Sequence, residues 1–182
     1  MPGASAQPRH LEPLREHHAI DSFSCGVAPL DSWLRRSAAT VAAKHVGRTY
    51  VWVAPSAPDV VLGYVTLAPH VVRRVEAPGR IARGSPETIP AILLARLALS
   101  QDLHGNGHGA DLLVDALHRA LDAIVIAGGR LMVVDAIDDR AAAFYEHFGF
   151  ARLPGSQRLF RKATDIARDL GRDSTTLEHE AS

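Results

Sequence analysis

Apolar and polar positions follow two different periods along the first half of the chain. Apolar residues recur at helical spacing between about Pro29 and Lys44, which predicts one helix there. The runs "TYVWVA" and "VVLGYVTLAP" are rich in β-branched residues and flank a short turn-forming segment, as expected for a hairpin. The run "AILLARLAL" is almost continuously apolar, which is typical of a strand buried on both faces. Residues 71–90, which precede that strand, are rich in Pro, Gly and Arg and predict a long loop.

The second half of the chain alternates strand and helix patterns. A glycine-rich stretch leads into an amphipathic helix, with polar Asp111, Asp115, Arg119 and Asp122 on one face and Leu113, Leu117, Ala120, Leu121 and Ile124 on the other. The segment "RLMVVDA" predicts a strand, and "DDRAAAFYEHF" predicts a helix that begins with acidic residues. "FARLP" and "QRLFRKA" predict a final pair of strands. Strands that alternate with helices indicate an α/β fold in which part of the sheet is parallel.

The length and the terminal segments indicate a single domain. A chain of 182 residues suits one domain, because most domains contain about 100–200 residues. We predict a flexible N-terminal tail at residues 1–9, one folded domain at 10–162, and a C-terminal helix with a tail at 163–182. No stretch approaches the roughly 20 apolar residues of a membrane span, and the N-terminus lacks the apolar core of a signal peptide. The single cysteine, Cys25, excludes an internal disulfide, so we expect a cytoplasmic protein with no membrane association.

Charged residues are unevenly distributed, although the formal net charge is zero. Residues 28–100 hold nine Arg and Lys against four Asp and Glu, whereas residues 101–150 hold three against eight. Residues 151–162 add four basic residues and no acid. Eighteen of the twenty basic residues are arginine, whose guanidinium suits bidentate contacts with phosphate. The segregation indicates a polyanion-binding face, while a codon bias toward Ala and Arg also explains the arginine content.

The stretch "LHGNGHGADLLVDALHRALDA" (Leu103–Ala123) has three interpretations. Backbone N–H groups at a helix N-terminus carry partial positive charge, and glycines let an anion approach them, so the stretch could cradle a phosphate. It is not a P-loop, because no Gly-Lys-Ser/Thr follows, and it fits the Rossmann fingerprint poorly. A metal site would use His104 and His108 with Asp102 or His118, but no HExxH motif or cysteine ligand supports it, and we expect no metal. The third interpretation is a mobile turn without a ligand.

The same stretch resembles the signature of the GNAT superfamily of acetyl-coenzyme A-dependent N-acetyltransferases. That signature is Q/R-x-x-G-x-G/A at the start of the helix after the fourth strand. The matching residues are His104-Gly105-Asn106-Gly107-His108-Gly109, followed by Ala110, and His104 replaces the usual Gln or Arg. Further segments extend the resemblance over roughly residues 10–162 to one branch, the acetyltransferase toxins of bacterial type II toxin–antitoxin systems: "FSCGVAPLDSWLRRSA", "GRTYVWV", "ILLARLALSQDLHGNGHGADLLVDAL" and "AFYEHFGF". Members of that branch acetylate the amino acid on charged tRNA.

The resemblance implies a fold, a site and partners. The fold is a single-domain GNAT fold, with a central mixed, twisted sheet of six to seven strands flanked by about four helices. The implied donor is acetyl-CoA, the acceptor is an aminoacyl-tRNA, and the partners are a small ribbon-helix-helix antitoxin and a second copy of the chain in a homodimer. Backbone groups of Leu97, Ala98 and Leu99 are expected to hold the pantetheine arm and the acetyl carbonyl. The turn from His104 to Ala110 is expected to hold the pyrophosphate, and Tyr145, in the pattern FYxxFGF, to act as the general acid.

Elementary chemistry of the residues is compatible with this implication. A phenol with a pKa of about 10 suits protonation of a leaving thiolate, whose pKa is about 8.5 by analogy with cysteine. Taken without the resemblance, Tyr145 is better explained as a packing aromatic beside Phe144 and Phe148. No general base is evident, because Glu146 diverges from Tyr145 on the helix and Glu87 lies in the predicted loop. A free α-amino group, with a pKa of about 7.7–8.0, needs less help than a lysine at about 10.4, so an aminoacyl ester is a suitable acceptor.

Arginines are the candidate contacts with tRNA phosphates, and they are Arg35 and Arg36 in the first helix, Arg73 and Arg74 after the third strand, and Arg96 in the fourth. Each of them is also explained as a solvated surface residue, and Arg96 as a member of an internal ion pair. Two other functions remain open: a GNAT enzyme acting on a small amine or a protein N-terminus, and a non-catalytic CoA-binding module, which the replacement at His104 favours. Salt separates the first of these from a tRNA-acetylating enzyme, because contacts with tRNA phosphates weaken steeply as salt rises.

Overall fold

The computed structural model describes residues 8–173, which form two compact units. The first unit contains the residues up to 66 and residues 96–116, and the second contains residues 67–95 and those from 117 onward. Residues 1–7 of the predicted tail and residues 174–182 of the predicted C-terminal segment lie outside the described residues. The boundaries of both terminal segments therefore stay predictions.

Seven strands are present among the described residues: β1 (His10–Pro13), β2 (Arg48–Val53), β3 (Gly63–Arg73), β4 (Thr88–Leu99), β5 (Leu131–Asp135), β6 (Ala151–Arg152) and β7 (Arg158–Lys162). They form one sheet in the hydrogen-bonded order β1-β2-β3-β4-β5-β7-β6. β4 and β5 are parallel, whereas the pairs β1–β2, β5–β7 and β6–β7 are antiparallel. The predicted α/β fold with a mixed sheet is confirmed, and the final strand pair is found where the pattern placed it.

In the first unit, two helices are present where the sequence predicted one. The segment predicted as a helix from Pro29 to Lys44 contains α1 (Ala28–Arg36) and α2 (Ala38–Ala43). The helices separate at Ser37, whose φ of −119° departs from the helical value of about −63°. The apolar spacing continues through this break, so the pattern reveals the buried face and not the interruption. Side chains of both helices pack with β2 and β3 in a core of Phe23, Cys25, Leu34, Ala38, Val51, Val53, Val61, Tyr64 and Ala98.

β1 was not predicted. It pairs antiparallel with β2, from His10 opposite Val53 to Pro13 opposite Tyr50. Only one of its four residues, Leu11, is buried. A single apolar position has no period, so the sequence pattern carries no sign of this strand.

In the second unit, residues 71–90 are more regular than the long loop that the sequence predicted. β3 continues to Arg73, β4 begins at Thr88, and a short helix α3 (Gly79–Ala82) lies between them. Ile81 and Ile89 anchor this segment, being 2% and 0% exposed. The unit also contains α5 (Asp139–His147) and α6 (Ala163–Asp169), and its core includes Val72, Ile81, Ile89, Ala91, Leu131, Val133 and Phe160. Six α-helices among the described residues thus exceed the expected four.

The helix α4 (His108–Ala127) follows the glycine-rich stretch, as predicted. Its predicted core positions are at most 2% exposed. Asp115, placed on the polar face by the pattern, is half-buried and accepts a hydrogen bond from Nε1 of Trp52 at 2.8 Å. Among residues 8–173, no helix combines the length and the hydropathy that crossing a bilayer requires.

Candidate active site

The glycine-rich turn connects β4 to α4 in the first unit. A 3₁₀-helix (Gln101–Leu103) follows β4, and α4 begins at His108. Gly105 and Gly107 have φ of 81° and 80°, in the left-handed region where a side chain costs about 1–2 kcal/mol. A Cβ atom on Gly105, Gly107 or Gly109 would meet no heavy atom of residues 8–173 within 4 Å, apart from the adjoining backbone. Gly109 has a negative φ, so neither packing nor backbone strain among the described residues requires a glycine there.

Open space at the start of α4 fits an anionic group. The first N–H groups of an α-helix have no acceptor within the helix, and they carry the positive end of its dipole. Glycines in front of them leave room for a phosphate oxygen at hydrogen-bonding distance. The turn therefore fits the pyrophosphate of a CoA ligand, and Gly109 is explained by a ligand better than by the fold.

Three hydrogen bonds hold the turn in position. The N–H of Ser100 donates to the carbonyl of Leu62 at 2.9 Å, and the N–H of Gln101 donates to the carbonyl of Ser24 at 3.0 Å. Nε2 of His104 donates to the carbonyl of Leu99 at 2.9 Å. His104 thus braces the turn against the end of β4, and in this arrangement its Nε2 proton is not directed at a phosphate.

Leu97, Ala98 and Leu99, the residues expected to hold the pantetheine arm, form the end of β4. The register between β4 and β5 pairs Ala91–Leu94 with Leu131–Val134, and β4 continues to Leu99 beyond it. The carbonyl of Leu99 already accepts the bond from His104. A pantetheine arm bound to this segment would therefore contact the other backbone groups of Leu97, Ala98 and Leu99.

His104 and His108 belong to no cluster of metal ligands among residues 8–173. The group of potential ligand atoms found there, within 4.8 Å of one another, consists of Glu12, His17 and His18. Buried His18 donates from Nε2 to Glu12 at 2.9 Å, so these two residues satisfy each other by hydrogen bonding. The metal interpretation of the glycine-rich turn gains no support from the structure.

Arg9, which the sequence places in the tail, lies against the first turn of α4. Its guanidinium carbon is 5.1 Å from the ring centroid of Trp52, and its Nη1 is 3.1 Å from Nδ1 of His108. Trp52 is 2% exposed and is tied to α4 by its hydrogen bond to Asp115. These contacts join residues far apart in the chain, so no sequence period indicates them.

Tyr145 lies in α5, in the second unit. The helix begins at Asp138, whose carboxylate accepts a hydrogen bond from the N–H of Ala141 at 2.7 Å. The phenol ring packs edge-on against Phe144 and Phe150, at centroid distances of 5.3 and 5.8 Å. Tyr145 is 7% exposed, and this burial raises the pKa of its phenol above the ordinary value of about 10.

The hydroxyl of Tyr145 distinguishes it from a packing aromatic. It has no hydrogen-bond partner among residues 8–173, yet no fully enclosed side-chain oxygen in that part of the chain lacks one. The hydroxyl must therefore retain contact with solvent while the ring is enclosed. Tyr64 contrasts with it, because its hydroxyl donates to the carbonyl of Leu30 at 2.8 Å. Packing explains the ring of Tyr145 and leaves the position of its hydroxyl unexplained.

The candidate tRNA-binding arginines of the first unit lie on or against α1. Arg35 and Arg36 occupy its last turn and are exposed. Nη1 of Arg35 donates to the carbonyl of Phe23 at 3.2 Å. Arg96 is half-buried in β4, with its guanidinium carbon 4.9 Å from the ring centroid of Trp33. The structure therefore brings Arg96 to the same helix that carries Arg35 and Arg36.

Arg73 and Arg74, in the second unit, are exposed at the end of β3. Nη1 of Arg74 donates to the carbonyl of Ser85 at 3.1 Å. Neither these two residues nor Arg35 and Arg36 form an ion pair within residues 8–173. Their charges thus remain available to an outside anion.

The arginines at residues 151–162 differ from these four because they form ion pairs within the chain. They, and one arginine beyond them, are paired with acids from other elements, in the ion pairs Arg152–Asp139, Arg158–Asp135, Arg161–Asp169 and Arg172–Asp122. Arg158 and Asp135 form two hydrogen bonds, at 2.6 and 2.7 Å, so the pair is bidentate. The arginines of this segment are therefore paired with acids within the chain, and they are not among the residues proposed to contact tRNA.

Comparisons with known proteins place the chain in a family. No protein-family model matches it. A tRNA-acetylating toxin of Mycobacterium tuberculosis is 37% identical over 154 residues, which cover 85% of this chain and 89% of that protein. The structure of AtaT complexed with acetyl-methionyl-tRNAfMet is 25% identical with a TM-score of 0.79, over 88% of this chain and 98% of that one. A tyrosine-to-phenylalanine variant of AtaT, bound to acetyl-CoA and the C-terminus of the antitoxin AtaR, is 25% identical with a TM-score of 0.77, over 90% and 99%. The chain belongs to the family of tRNA-acetylating toxins of the GNAT superfamily.

Proposed function

We propose that this protein transfers an acetyl group from acetyl-CoA to the α-amino group of the amino acid on charged tRNA, and so blocks translation. The observation that carries the proposal is the turn at the start of α4, where three glycines leave open space in front of helix N–H groups. Membership in a family of tRNA-acetylating toxins supports the choice of acceptor.

The donor site consists of the turn and the end of β4. Acetyl-CoA supplies the acetyl thioester. The N–H groups from Gly105 to Gly109 would bind its pyrophosphate, because they lie at the positive end of the helix dipole and the glycines leave access to them. The predicted contact at Ala110 is already used within the turn, since its N–H donates to the carbonyl of Gly107 at 3.0 Å. Backbone groups of Leu97 and Ala98 would orient the pantetheine arm. His104 supports the turn through Leu99, so its Nε2 is not free to take the place of the Gln or Arg of the family signature as a direct contact.

Tyr145 is the proposed general acid. Acetyl transfer to an amine forms one C–N bond and breaks one C–S bond, and the leaving thiolate must gain the proton that the amine loses. The raised pKa of Tyr145 keeps its phenol protonated at neutral pH, and its solvent-reaching hydroxyl is free to donate. The phenolate then regains a proton from the acetylated amine, so Tyr145 ends each cycle unchanged.

The acceptor needs no strong base. The α-amino group of an aminoacyl ester is deprotonated in appreciable amount near neutral pH, because its pKa is below the value of about 7.7–8.0 for a free α-amine. Arg35, Arg36, Arg73 and Arg74 lack internal ion pairs within residues 8–173 and would contact phosphates of the tRNA. Arg96, stacked on Trp33, would contribute through the helix that carries the first two.

The partners follow from the same family membership. We expect a ribbon-helix-helix antitoxin to neutralise the protein, and the antitoxin complex of AtaT supports this expectation. The predicted homodimer is checked by light scattering of the purified protein. We place the reaction in the cytoplasm, because acetyl-CoA and charged tRNA are both available there.

The test of the proposal is release of free CoA thiol from acetyl-CoA in the presence of different acceptors. Thiol release should be rapid with charged tRNA and slow with the same tRNA after deacylation, with free amino acids and with small amines. The rate with charged tRNA at subsaturating concentration should fall steeply as salt increases, because phosphate contacts release counterions. Equal rates with small amines, independent of salt, would contradict the proposal and favour a small-amine acetyltransferase.

A further inference from the structure

The guanidinium of Arg9 occupies a position that neither the fold nor the family signature explains. Arg9 is a cation at the N-terminus of a 20-residue helix, where the helix dipole is positive. Cations are disfavoured at this end of a helix by about 0.3–1 kcal/mol. Other contacts must therefore hold Arg9 there.

Trp52 supplies the support for Arg9. Its ring is buried and is fixed to α4 by the 2.8 Å bond from Nε1 to Asp115. The guanidinium lies 5.1 Å from the ring centroid, within the range of a cation–π interaction. A cation–π contact uses none of the guanidinium N–H groups, so these donors remain available to a ligand.

Arg9 has one hydrogen-bond contact within the described residues, and Asp111 competes for the same atom of His108. Nη1 lies 3.1 Å from Nδ1 of His108, and the same Nδ1 lies 3.2 Å from Oδ2 of Asp111. One ring nitrogen cannot accept from Arg9 and donate to Asp111 at once, so these two contacts compete. Of the five N–H donors of Arg9, the others have no acceptor among residues 8–173.

We infer that Arg9 is a direct phosphate-binding residue of the acetyl-CoA site, and that it supplies the cationic side chain missing from the first position of the family signature. The inference rests on the proposed function, because it assigns a residue to the same donor site. A phosphate at the first turn of α4 would receive both helix N–H groups and a planar, prepositioned guanidinium. His104 cannot supply that charge through Nε2, since this atom donates to Leu99. Arg9 contacts Nδ1 of His108, which also contacts Asp111, and an anion would give the guanidinium a stronger partner than this shared contact.

The inference is tested by calorimetry with two donors, acetyl-CoA and S-acetylpantetheine, which carries no phosphate at this site. Arg9→Ala should raise the Kd for acetyl-CoA about tenfold, the loss of one charge-assisted hydrogen bond, and leave the Kd for S-acetylpantetheine unchanged. Arg9→Lys should lie between Arg9→Ala and the wild type, because it keeps the charge and loses the planar fork. The matched control is Arg15→Ala, which removes an exposed arginine from the same N-terminal segment and should change neither affinity.

The outcomes separate the two proposals. Wild-type protein that binds no acetyl-CoA would overturn the proposed function and this inference together. Wild-type binding that Arg9→Ala leaves within twofold would overturn the inference alone. Equal weakening by Arg9→Ala and Arg15→Ala would also overturn it, because the effect would then reflect net charge and not a contact. Equal weakening of both donors by Arg9→Ala would mean that Arg9 supports the fold of the turn and does not bind phosphate.

Discussion

At the scale of single residues, the proposed donor site depends on glycines, which have no side chain to obstruct a ligand. Gly105 and Gly107 adopt left-handed backbone conformations, and that conformation is already sufficient to favour glycine at both positions. Gly109 has no such need, and a Cβ atom there would meet no other part of the described chain within 4 Å beyond the adjoining backbone. A substitution at Gly109 can therefore change ligand binding without lowering the stability of the fold.

Gly109→Ala tests that separation. The variant should be as stable as the wild type, or more stable by up to about 1 kcal/mol, because alanine favours a helix over glycine. Its Kd for acetyl-CoA should rise at least about tenfold, since the new methyl group blocks the approach of a phosphate to the helix N–H groups. Thermal unfolding and calorimetry on the same sample measure both quantities. Gly79→Ala is the control, because Gly79 also has open space in α3 and a negative φ, and it should leave acetyl-CoA binding unchanged.

Tyr145→Phe tests the second residue of the site. Turnover should fall by about 100-fold to 10,000-fold, the usual contribution of a general acid, while the Kd for acetyl-CoA stays nearly unchanged. Tyr64→Phe serves as the control, because it removes the bond to the carbonyl of Leu30 and should cost about 1 kcal/mol of stability without loss of turnover. Single-turnover rates with charged tRNA distinguish the two variants. Turnover within threefold of the wild type in Tyr145→Phe would remove the general-acid assignment.

The pH dependence of wild-type turnover follows from the same residue. The proposed mechanism requires a deprotonated amine and a protonated phenol at Tyr145. The amine titrates below about pH 8, so kcat/KM for charged tRNA should rise with pH and then level off. Burial raises the pKa of Tyr145 above about 10, so the phenol loses its proton only at higher pH and no falling limb is expected between about pH 8 and 9.5. A fall in initial rate over that range, on acceptor shown to remain charged, would contradict the assignment.

At the scale of elements, α5 is the platform that orients Tyr145. Asp138 caps its first turn through the bond to the N–H of Ala141, and Gly149, with φ of 80°, ends it. An N-cap side chain contributes about 1 kcal/mol to a helix. The cap therefore helps to position Tyr145, the proposed general acid.

Asp138→Ala should lower the free energy of unfolding by about 1 kcal/mol and reduce turnover, because the start of α5 frays. Asp138→Asn should retain both, since asparagine caps helices about as well as aspartate. Chemical denaturation and single-turnover rates provide the two measurements. Loss of turnover in Asp138→Asn at unchanged stability would mean that the carboxylate has a role beyond capping.

Elements also show where sequence patterns succeed and fail. The spacing of apolar residues predicted the buried face of α4, the strand β5 and the final strand pair, because those signals are local and periodic. It missed β1, which has one buried residue, and the break at Ser37, which leaves the apolar period intact. Local sequence alone indicates an anion site at the glycine-rich turn, and that assignment stays a prediction. The place of Arg9 against Trp52 could not be predicted in this way, because it depends on contacts between distant parts of the chain.

At the scale of the whole molecule, internal pairing decides which charges face outward. Acids of other elements pair with the arginines that cluster near the C-terminal strands, whereas the arginines of α1 and of the end of β3 have no ion pair within residues 8–173. The sequence shows the number of arginines in each segment, but only the fold shows which of them are neutralised. The second group is therefore the one that we propose to contact tRNA.

Charge reversal on α1 tests that conclusion. The double variant Arg35→Glu and Arg36→Glu should weaken binding of charged tRNA and reduce its salt slope by about one for each phosphate that the protein no longer neutralises. Binding of acetyl-CoA should not change. A matched double reversal at Arg80 and Arg83, which are exposed in and after α3, makes the same change in net charge at residues with no proposed role in tRNA binding. Equal weakening of tRNA binding by both double variants would show a general electrostatic effect and not a binding site on α1.

The identity of the acetylated group is the most direct measure of the central claim. The protein is incubated with acetyl-CoA and a pool of charged tRNA, the RNA is digested to nucleosides, and the aminoacyl-adenosine is analysed by mass spectrometry. We predict aminoacyl-adenosine carrying one acetyl group on its α-nitrogen, formed by the wild type and nearly absent with Tyr145→Phe. Unmodified aminoacyl-adenosine in the wild-type reaction, under conditions where acetyl-CoA is bound, would contradict that claim.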